Sequence, residues 1–366
     1  MKIICTQENL NTGLSIVNHI ASRNANLPIL NNVLLKAVDG IITLATTNLE
    51  IGINVQIRGK VEKDGSYTVP ARLLTDYINL LPKENITLTV SDEGLKIDSK
   101  KSQTEIKGMS AEDYPLIPEV SSEEQVIIKK ENLQELLSQT LFAVSVDESR
   151  PEISGVFFNF SENNLVVAAT DSYRLAEKKI ETKSELHKKI IVPLKTLQEL
   201  FRGLGVSGQG EVSISMNDDQ ILFSYDNVKL VSRLIDGNYP DYEQIIPKEE
   251  KTIVTTKITE LVKAIKGAAL FCKPGINDVK MTFLPSKGEI IIVSANGGLG
   301  ENITKINADI KGDEIDMVFN YRYLLDGLNG LQSESVTIKL SNQGAPGVFV
   351  PTDREGYLYI VMPIRQ

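Results

Sequence analysis

The sequence predicts an α+β fold of three similar domains, each built as helix, hairpin, helix, hairpin. Three observations predict it. An apolar helical pattern returns in each third of the chain, turn residues follow it at matching distances, and a second helix motif with a second turn comes next. An internal repeat on this scale indicates a repeated structural unit.

The first helix of each third has apolar residues three and four positions apart. The tripeptide ENL at 8–10 returns at 131–133 and opens such a pattern each time, and a third pattern begins near residue 257. The apolar positions are Leu10, Leu14, Val17 and Ile20, then Leu133, Leu136, Leu137 and Val144, then Ile258, Leu261, Val262, Ile265 and Ala269. These spacings match the 3.6-residue period of an amphipathic helix.

Two hairpins are predicted in each third. The first turns are placed at Asp39-Gly40, Asn163-Asn164 and Lys287-Gly288, and the second at Glu93-Gly94, Asp218-Asp219 and Asn342-Gln343. Gly and Asn adopt the positive φ that tight turns require. Alternating segments such as ITLTV and LKIDS predict strands whose apolar faces the helices cover.

The second helix of each third is the most regular part of the repeat. It is predicted from VPARLLTDYI (69–78), VPLKTLQELF (192–201) and FNYRYLLDGL (319–328). In register, the three segments align Arg72 with Lys195 and Arg322, and Asp76 with Glu199 and Asp326. Proline with polar residues after each repeat predicts domain boundaries, giving domains 1–118, 119–247 and 248–366.

Composition restricts the classes of function. The chain has 366 residues, 42% hydrophobic and 24% charged, with net charge −9, which argues against a surface that is basic overall and coats nucleic acid or membrane. Cys5 and Cys272 stand far apart, so neither a disulfide framework nor a thiolate metal cluster is indicated. The absence of a long apolar run or a signal peptide predicts a cytoplasmic protein without membrane contact.

No set of catalytic residues emerges. The G-x-G-x-x-G formed by Gly203, Gly205 and Gly208 follows a predicted helix and precedes a strand, the reverse of a dinucleotide site, so it is interpreted as a helix end. The histidines, His19 and His187, are interpreted as structural or solvated. We therefore predict no enzyme activity, no metal and no cofactor.

Basic residues recur at equivalent positions of the repeat. Arg23, Arg150 and Lys273 are predicted to end the first helices, and Arg72, Lys195 and Arg322 to begin the second helices. In an acidic protein this repetition suggests a polyanion passing along one face. The alternative is a solvated surface, with Asp76, Glu199 and Asp326 as salt-bridge partners four residues on.

The chain terminus YLYIVMPIRQ, residues 357–366, is unusually apolar. It is either a buried final strand or one wall of a binding site, since termini otherwise tend to fray into water.

Seven segments, spread over the whole length, together resemble the bacterial DNA polymerase III beta subunit family of sliding clamps. They are LPIL (27–30), TNLE (47–50), VPAR (69–72), ATDSYRLA (169–176), SRLIDGNYPDYEQIIP (232–247), FNYRYLLD (319–326) and VMPIR (361–365). The resemblance implies a head-to-tail homodimer that closes into a ring of six domains around duplex DNA without sequence specificity. It also implies three kinds of protein partner: the replicative polymerase, the clamp loader, and repair and translesion polymerases.

The resemblance also implies three groups of site residues. DNA contacts would be Arg23, Arg72, Arg150, Lys195, Lys273 and Arg322. A partner-peptide pocket would comprise Ile153, Thr170, Ser172, Tyr173, Arg174, Leu175, Pro240, Gln244, Ile245, Val361, Met362, Pro363, Ile364 and Arg365. The dimer interface would include Thr104, Ile106, Leu270 and Phe271.

Two positions depart from the family pattern. Asn24 stands where an Arg is expected, with Arg23 one place earlier, and Gln244 stands where relatives often carry Arg. Two other functions remain open at this stage: an interaction scaffold of three domains that never encircles DNA, and an enzyme with its site between domains.

Overall fold

The computed structural model describes residues 1–21, 27–120, 125–147, 149–206, 208–273 and 275–365. The chain forms two compact units, one of Met1–Gln134 with Lys195–Leu234 and the other of Glu135–Leu194 with Ile235–Gln366. Within the described ranges, no helix has both the length and the apolar character needed to cross a membrane.

The first third of the chain alternates helices with groups of strands. Its elements are β1 (Lys2–Thr6), α1 (Gln7–Val17), a 3-10 helix (Pro28–Asn31), β2 (Asn32–Val38), β3 (Ile41–Thr47), β4 (Ile51–Ile57), β5 (Gly59–Lys63), β6 (Gly65–Pro70), α2 (Ala71–Leu80), β7 (Asn85–Val90), β8 (Leu95–Asp98) and β9 (Gln103–Ile106).

The second third follows the same order. Its elements are β10 (Gln125–Lys129), α3 (Lys130–Thr140), two 3-10 helices (Leu141–Ala143 and Pro151–Ile153), β11 (Gly155–Ser161), β12 (Asn164–Thr170), β13 (Arg174–Glu181), β14 (Lys188–Pro193), α4 (Leu194–Val206), β15 (Glu211–Met216), β16 (Gln220–Tyr225), β17 (Val228–Arg233) and a 3-10 helix (Tyr242–Ile245).

The last third repeats it once more. Its elements are β18 (Thr252–Lys257), α5 (Ile258–Ala269), β19 (Asp278–Leu284), β20 (Glu289–Asn296), β21 (Gly300–Asn307), β22 (Asp309–Gly312), β23 (Ile315–Asn320), α6 (Tyr321–Gly330), β24 (Ser335–Leu340), β25 (Gly347–Pro351) and β26 (Tyr357–Val361). The predicted α+β repeat is confirmed, and each repeat also has a strand before its first helix and further strands before its second.

The predicted turns are mostly in place. Asp39 and Gly40 have φ of 51° and 79° and join β2 to β3. The predicted turn at Asn163-Asn164 is wrong by one residue, because Ser161 pairs with Asn164 and the turn is Glu162-Asn163. Asn163 has the positive φ, at 57°, and so occupies the turn position that its side chain favours.

Each unit contains two antiparallel sheets. In the first unit the strand orders are β5-β1-β7-β8-β9 and β10-β15-β16-β17-β4-β3-β2-β6. In the second unit they are β14-β11-β12-β13-β26-β25-β24-β18-β22 and β21-β20-β19-β23. The pairing of β13 with β26 aligns Arg174 with Val361, so the end of the chain lies beside the ATDSYRLA segment.

The last strand is firmly packed. Tyr359 is 1% exposed and donates its hydroxyl to the carbonyl oxygen of Tyr323 at 2.9 Å, and Tyr357 donates to that of Gln139 at 3.0 Å. Gly327 of α6 lies against the ring of Tyr359, where a Cβ would overlap the ring carbons. Glycine therefore permits the close approach of helix and strand.

Strand β9, which contains the predicted interface residues Thr104 and Ile106, forms one edge of its sheet. Ile106, however, is 5% exposed and belongs to the core of its own unit, while Glu105 is exposed. Successive side chains of a strand point to opposite faces, so in the single chain Ile106 packs against its own unit while Glu105 faces away from it. The place of Ile106 in a dimer interface stays a prediction.

Candidate functional site

A cavity of about 160 Å³ lies in the second unit beside the final strand. Three segments enclose it: the turn between β12 and β13, the stretch around the 3-10 helix Tyr242–Ile245, and the residues around the end of β26. The lining residues are Arg150, Ile153, Thr170, Ser172, Arg174, Pro240, Asp241, Tyr242, Ile245, Ile360 and Met362.

The turn between β12 and β13 is fixed by its own polar side chains. Thr170 donates its hydroxyl to the carbonyl of Arg174 at 2.6 Å and accepts from the amide of Ser172 at 3.1 Å. Asp171 Oδ1 accepts from the amides of Tyr173 and Arg174, each at 3.0 Å. Such local bonds are typical of Thr and Asp in turns, and they hold Ser172 at a φ of 77°.

Arg174 is held rigidly beside the cavity. Its guanidinium forms ion pairs with Asp171 at 2.9 Å and Asp326 at 2.6 Å, and it lies 4.5 Å from the ring centroid of Tyr323. Burial lowers the pKa of Arg174, but the tyrosine Tyr359 and the two carboxylates outweigh it, so the pKa is raised. The charge is therefore permanent and already paired, which leaves the apolar lining to select a ligand.

The second wall is an aromatic and aliphatic segment packed on the sheet. Tyr242 is 6% exposed and shares a buried cluster with Ala168, Leu175, Val348 and Ile360. Its amide donates to the carbonyl of Pro240 at 2.8 Å, which closes a γ-turn at the start of the 3-10 helix. This packing brings Pro240 and Ile245 to the cavity.

The third wall follows the end of β26. The amide of Met362 donates to the carbonyl of Tyr173 at 2.8 Å, and the amide of Ile364 donates to that of Val318 at 2.7 Å. Both alternatives for the apolar terminus therefore hold: residues 357–361 are a buried strand, and Met362 lines the cavity. An apolar floor with a polar rim is suited to binding a side chain of a ligand.

Three family models together match most of the chain. The models of the DNA polymerase III beta subunit N-terminal, central and C-terminal domains match residues 1–118, 127–241 and 243–365. The beta sliding clamp of Synechococcus elongatus is 32% identical over 100% of this chain and 99% of the relative. The chain belongs to the beta sliding clamp family.

Solved clamps share the whole fold. The sliding clamp of Bacillus subtilis superposes with a TM-score of 0.95 at 29% identity, covering 100% of this chain and 99% of that one. The clamp of Pseudomonas aeruginosa bound to griselimycin gives 0.95 at 27% identity, with both chains covered completely.

Half of the predicted pocket residues of this clamp line the cavity, namely Ile153, Thr170, Ser172, Arg174, Pro240, Ile245 and Met362. Tyr173 is 62% exposed and stacks near Tyr323, with ring centroids 6.5 Å apart. Gln244 is exposed and donates its amide to Asp241 at 2.7 Å. Pro363 and Ile364 are half-buried and Arg365 is exposed; all three lie beyond the lining.

Two further predicted pocket residues, Leu175 and Val361, are also absent from the cavity lining. Both are fully buried in the core of the clamp. Leu175 pairs in register with Ile360 and shares its buried cluster with Tyr242, so it packs beside the lining without reaching the cavity. The prediction missed Ile360, which lines the cavity two residues before Met362. The prediction also missed Asp241 and Tyr242, and it assigned Arg150 to DNA alone.

The predicted DNA contacts fall into two groups. Arg72, Lys195 and Arg322 are each the second residue of a helix, α2, α4 and α6, and each is exposed. Arg72 lies 3.8 Å from Asp76. In contrast, Glu199 pairs with Arg202 and Asp326 pairs with Arg174, so the proposed salt-bridge explanation applies to Arg72 alone among the described pairs.

The second group does not end helices as predicted. Arg150 and Lys273 lie beyond α3 and α5, which end at Thr140 and Ala269, and both are exposed. Each precedes a proline in the sequence, and the residue before proline is disfavoured in a helix. Arg150 instead donates to Ser172 at 2.8 Å at the cavity rim. Arg23, with Asn24, lies outside the described residues.

Proposed function

We propose that two copies of the chain close head to tail into a ring around duplex DNA, and that the cavity beside Met362 binds short peptides of polymerases and other partners. The observation that carries this proposal is the match to beta sliding clamps along the entire chain. The same match leaves the non-encircling scaffold without support, and the protein is non-catalytic, as a processivity factor. We place it in the cytoplasm, with domain boundaries after Pro118 and Pro247.

Exposed apolar residues support the proposed dimer. Leu270, at the end of α5, is 74% exposed, and Leu299 and Ile303 near the edge strand β21 are 66% and 56% exposed. Edge strands and apolar patches of this kind are association surfaces when left uncovered. Strand β9, which contains Thr104, offers a second free edge for the partner copy, and Phe271 follows Leu270 directly after α5.

We expect Leu270→Glu to convert the dimer into folded monomers. A carboxylate placed in an apolar interface loses its hydration without a partner, so the dimer dissociation constant should rise by at least ~100-fold. Light scattering at micromolar concentration measures the mass. The matched control is Leu116→Glu, which places the same charge on a leucine that is 96% exposed elsewhere. A dimeric Leu270→Glu protein would contradict the assignment.

The exposed basic residues that begin α2, α4 and α6 support contact with the DNA backbone. A polyanion attracts exposed cations, and neither Lys195 nor Arg322 forms a described ion pair with the acidic residue four positions on, because Glu199 pairs with Arg202 and Asp326 with Arg174. Reversal of Arg72, Lys195 and Arg322 to Glu should weaken binding to a short linear duplex at low salt by at least ~10-fold, with little change in melting temperature.

The control variant for this triple reversal changes the net charge by the same amount at three other exposed residues. Lys36, Lys229 and Lys311 are exposed on strands β2, β17 and β22, one in each third of the chain. Their joint reversal to Glu should leave duplex binding near that of the unmodified protein. Fluorescence anisotropy of the labelled duplex measures both variants, and equal losses would show that net charge, not these helices, governs binding.

The cavity suits one or two apolar side chains of an extended peptide. Its aliphatic floor offers no directional specificity, and a flexible methionine on one wall adapts to different side chains. An affinity of order micromolar, roughly −8 kcal/mol, would allow partners to exchange. The P. aeruginosa clamp bound to griselimycin supports ligand binding by clamps of this fold.

A further inference from the structure

Glu177 is an acidic residue on an apolar face of the sheet. It lies on β13, on the same face as Leu175, and it pairs in register with Ala168 and Leu358. Alternation along a half-buried strand predicts an apolar residue at this position. A carboxylate costs free energy in such surroundings unless it is hydrogen-bonded, so its presence requires a partner.

That partner is Tyr242. The tyrosine hydroxyl donates to Glu177 Oε2 at 2.5 Å, which is short, as expected for a bond to a carboxylate. The pKa of Glu177 is raised, chiefly because the carboxyl is buried and also because Glu243 lies nearby. The bond from Tyr242 and the charge of Lys179 oppose this rise. The tyrosine ring lies in the cluster of Ala168 and Ile360, so the bond runs beneath the cavity floor.

This bond attaches one cavity wall to the sheet. The other hydrogen bonds of residues 240–246 in the described part of the chain are internal to the segment: Tyr242 to Pro240, Ile246 to Glu243, and Gln244 to Asp241. Apolar packing resists separation from the sheet but does little to fix position along it. A directional bond from the first residue of the 3-10 helix therefore sets where Pro240 and Ile245 stand.

We propose that Glu177 is a positioning residue for the peptide site: through its bond to Tyr242 it holds the wall formed by residues 240–245 at the distance that a bound side chain requires. The inference rests on the proposed function of the cavity. Glu177 contacts no ligand itself, so its effect on binding must pass through Tyr242.

The test measures binding of a fluorescein-labelled pentapeptide by fluorescence anisotropy on the full-length dimer. The peptide has Gln first and Leu-Phe last, the pattern that the family resemblance implies for partner segments. Glu177→Ala and Tyr242→Phe should each raise the dissociation constant by about five- to tenfold, within the range for one lost intramolecular hydrogen bond. The double variant should be no weaker than either single variant, because both remove the same bond. Glu177→Gln keeps an acceptor oxygen and should restore the dissociation constant to within about twofold.

Glu181→Gln is the matched control, since it removes a negative charge from an exposed residue of the same strand β13, outside the wall of residues 240–245, and leaves the Tyr242 bond intact. It should bind as the unmodified protein does. Additive losses in the double variant, failure of Glu177→Gln to restore binding, or single variants within twofold of the unmodified protein would overturn the positioning role. Failure of the unmodified protein to bind the peptide would instead overturn the proposed function and this inference with it.

Discussion

Deletion of residues 362–366 is expected to weaken binding of the labelled pentapeptide by at least ~100-fold, which places its dissociation constant beyond the usual micromolar range. The deletion removes Met362 from the cavity lining but leaves β26 intact, because the strand ends at Val361. Residues that close a desolvated pocket commonly carry much of the binding free energy. Anisotropy of the labelled peptide measures the loss.

Stability and assembly should change little in the same variant. The deletion removes two backbone hydrogen bonds, from Met362 to Tyr173 and from Ile364 to Val318. At about 1 kcal/mol each, these lower the melting temperature by roughly 3 °C in a chain of this size. Met362→Ala provides a second variant that keeps both amides and should also weaken binding. A truncated dimer with undiminished peptide affinity would show that the peptide binds elsewhere.

The helices and the repeat could be predicted from sequence because their signals are local. The 3.6-residue period and the turn residues repeat in each third, and α2, α4 and α6 begin within two residues of their predicted motifs. The helix ends near Arg150 and Lys273 were misplaced, although the prolines that follow them carried the necessary signal.

The strand order could not be predicted, because pairing between distant segments leaves no local pattern. Nothing in the sequence around Arg174 indicates that β13 pairs with β26 almost 190 residues later, although that pairing creates the cavity. The role of Glu177 is similar. An acidic residue on an apolar face is visible in the sequence, but its partner Tyr242 is known only once the 3-10 segment is placed on the sheet. The cavity was therefore anticipated through family motifs, and its supporting contacts were not.

Retention on DNA by encirclement separates a clamp from an ordinary DNA-binding protein. An ordinary protein with six to ten phosphate contacts loses roughly 10³- to 10⁵-fold in affinity between 50 and 200 mM salt. On a circular duplex, retention of a closed ring does not fall with salt in this way, because the ring can leave only by opening. The acidic chain, with net charge −9, should bind duplex weakly, so retention must come from encirclement.

The most direct measurement loads labelled protein onto a nicked circular plasmid with the cognate clamp loader and ATP, and isolates the complex by gel filtration at moderate salt. One half is then cut once with a restriction enzyme, and the protein that remains with the DNA is measured in both halves. We predict that the protein stays on the intact circle and leaves the linear DNA by sliding off its ends. Equal retention on both forms would contradict encirclement and the function proposed for this chain.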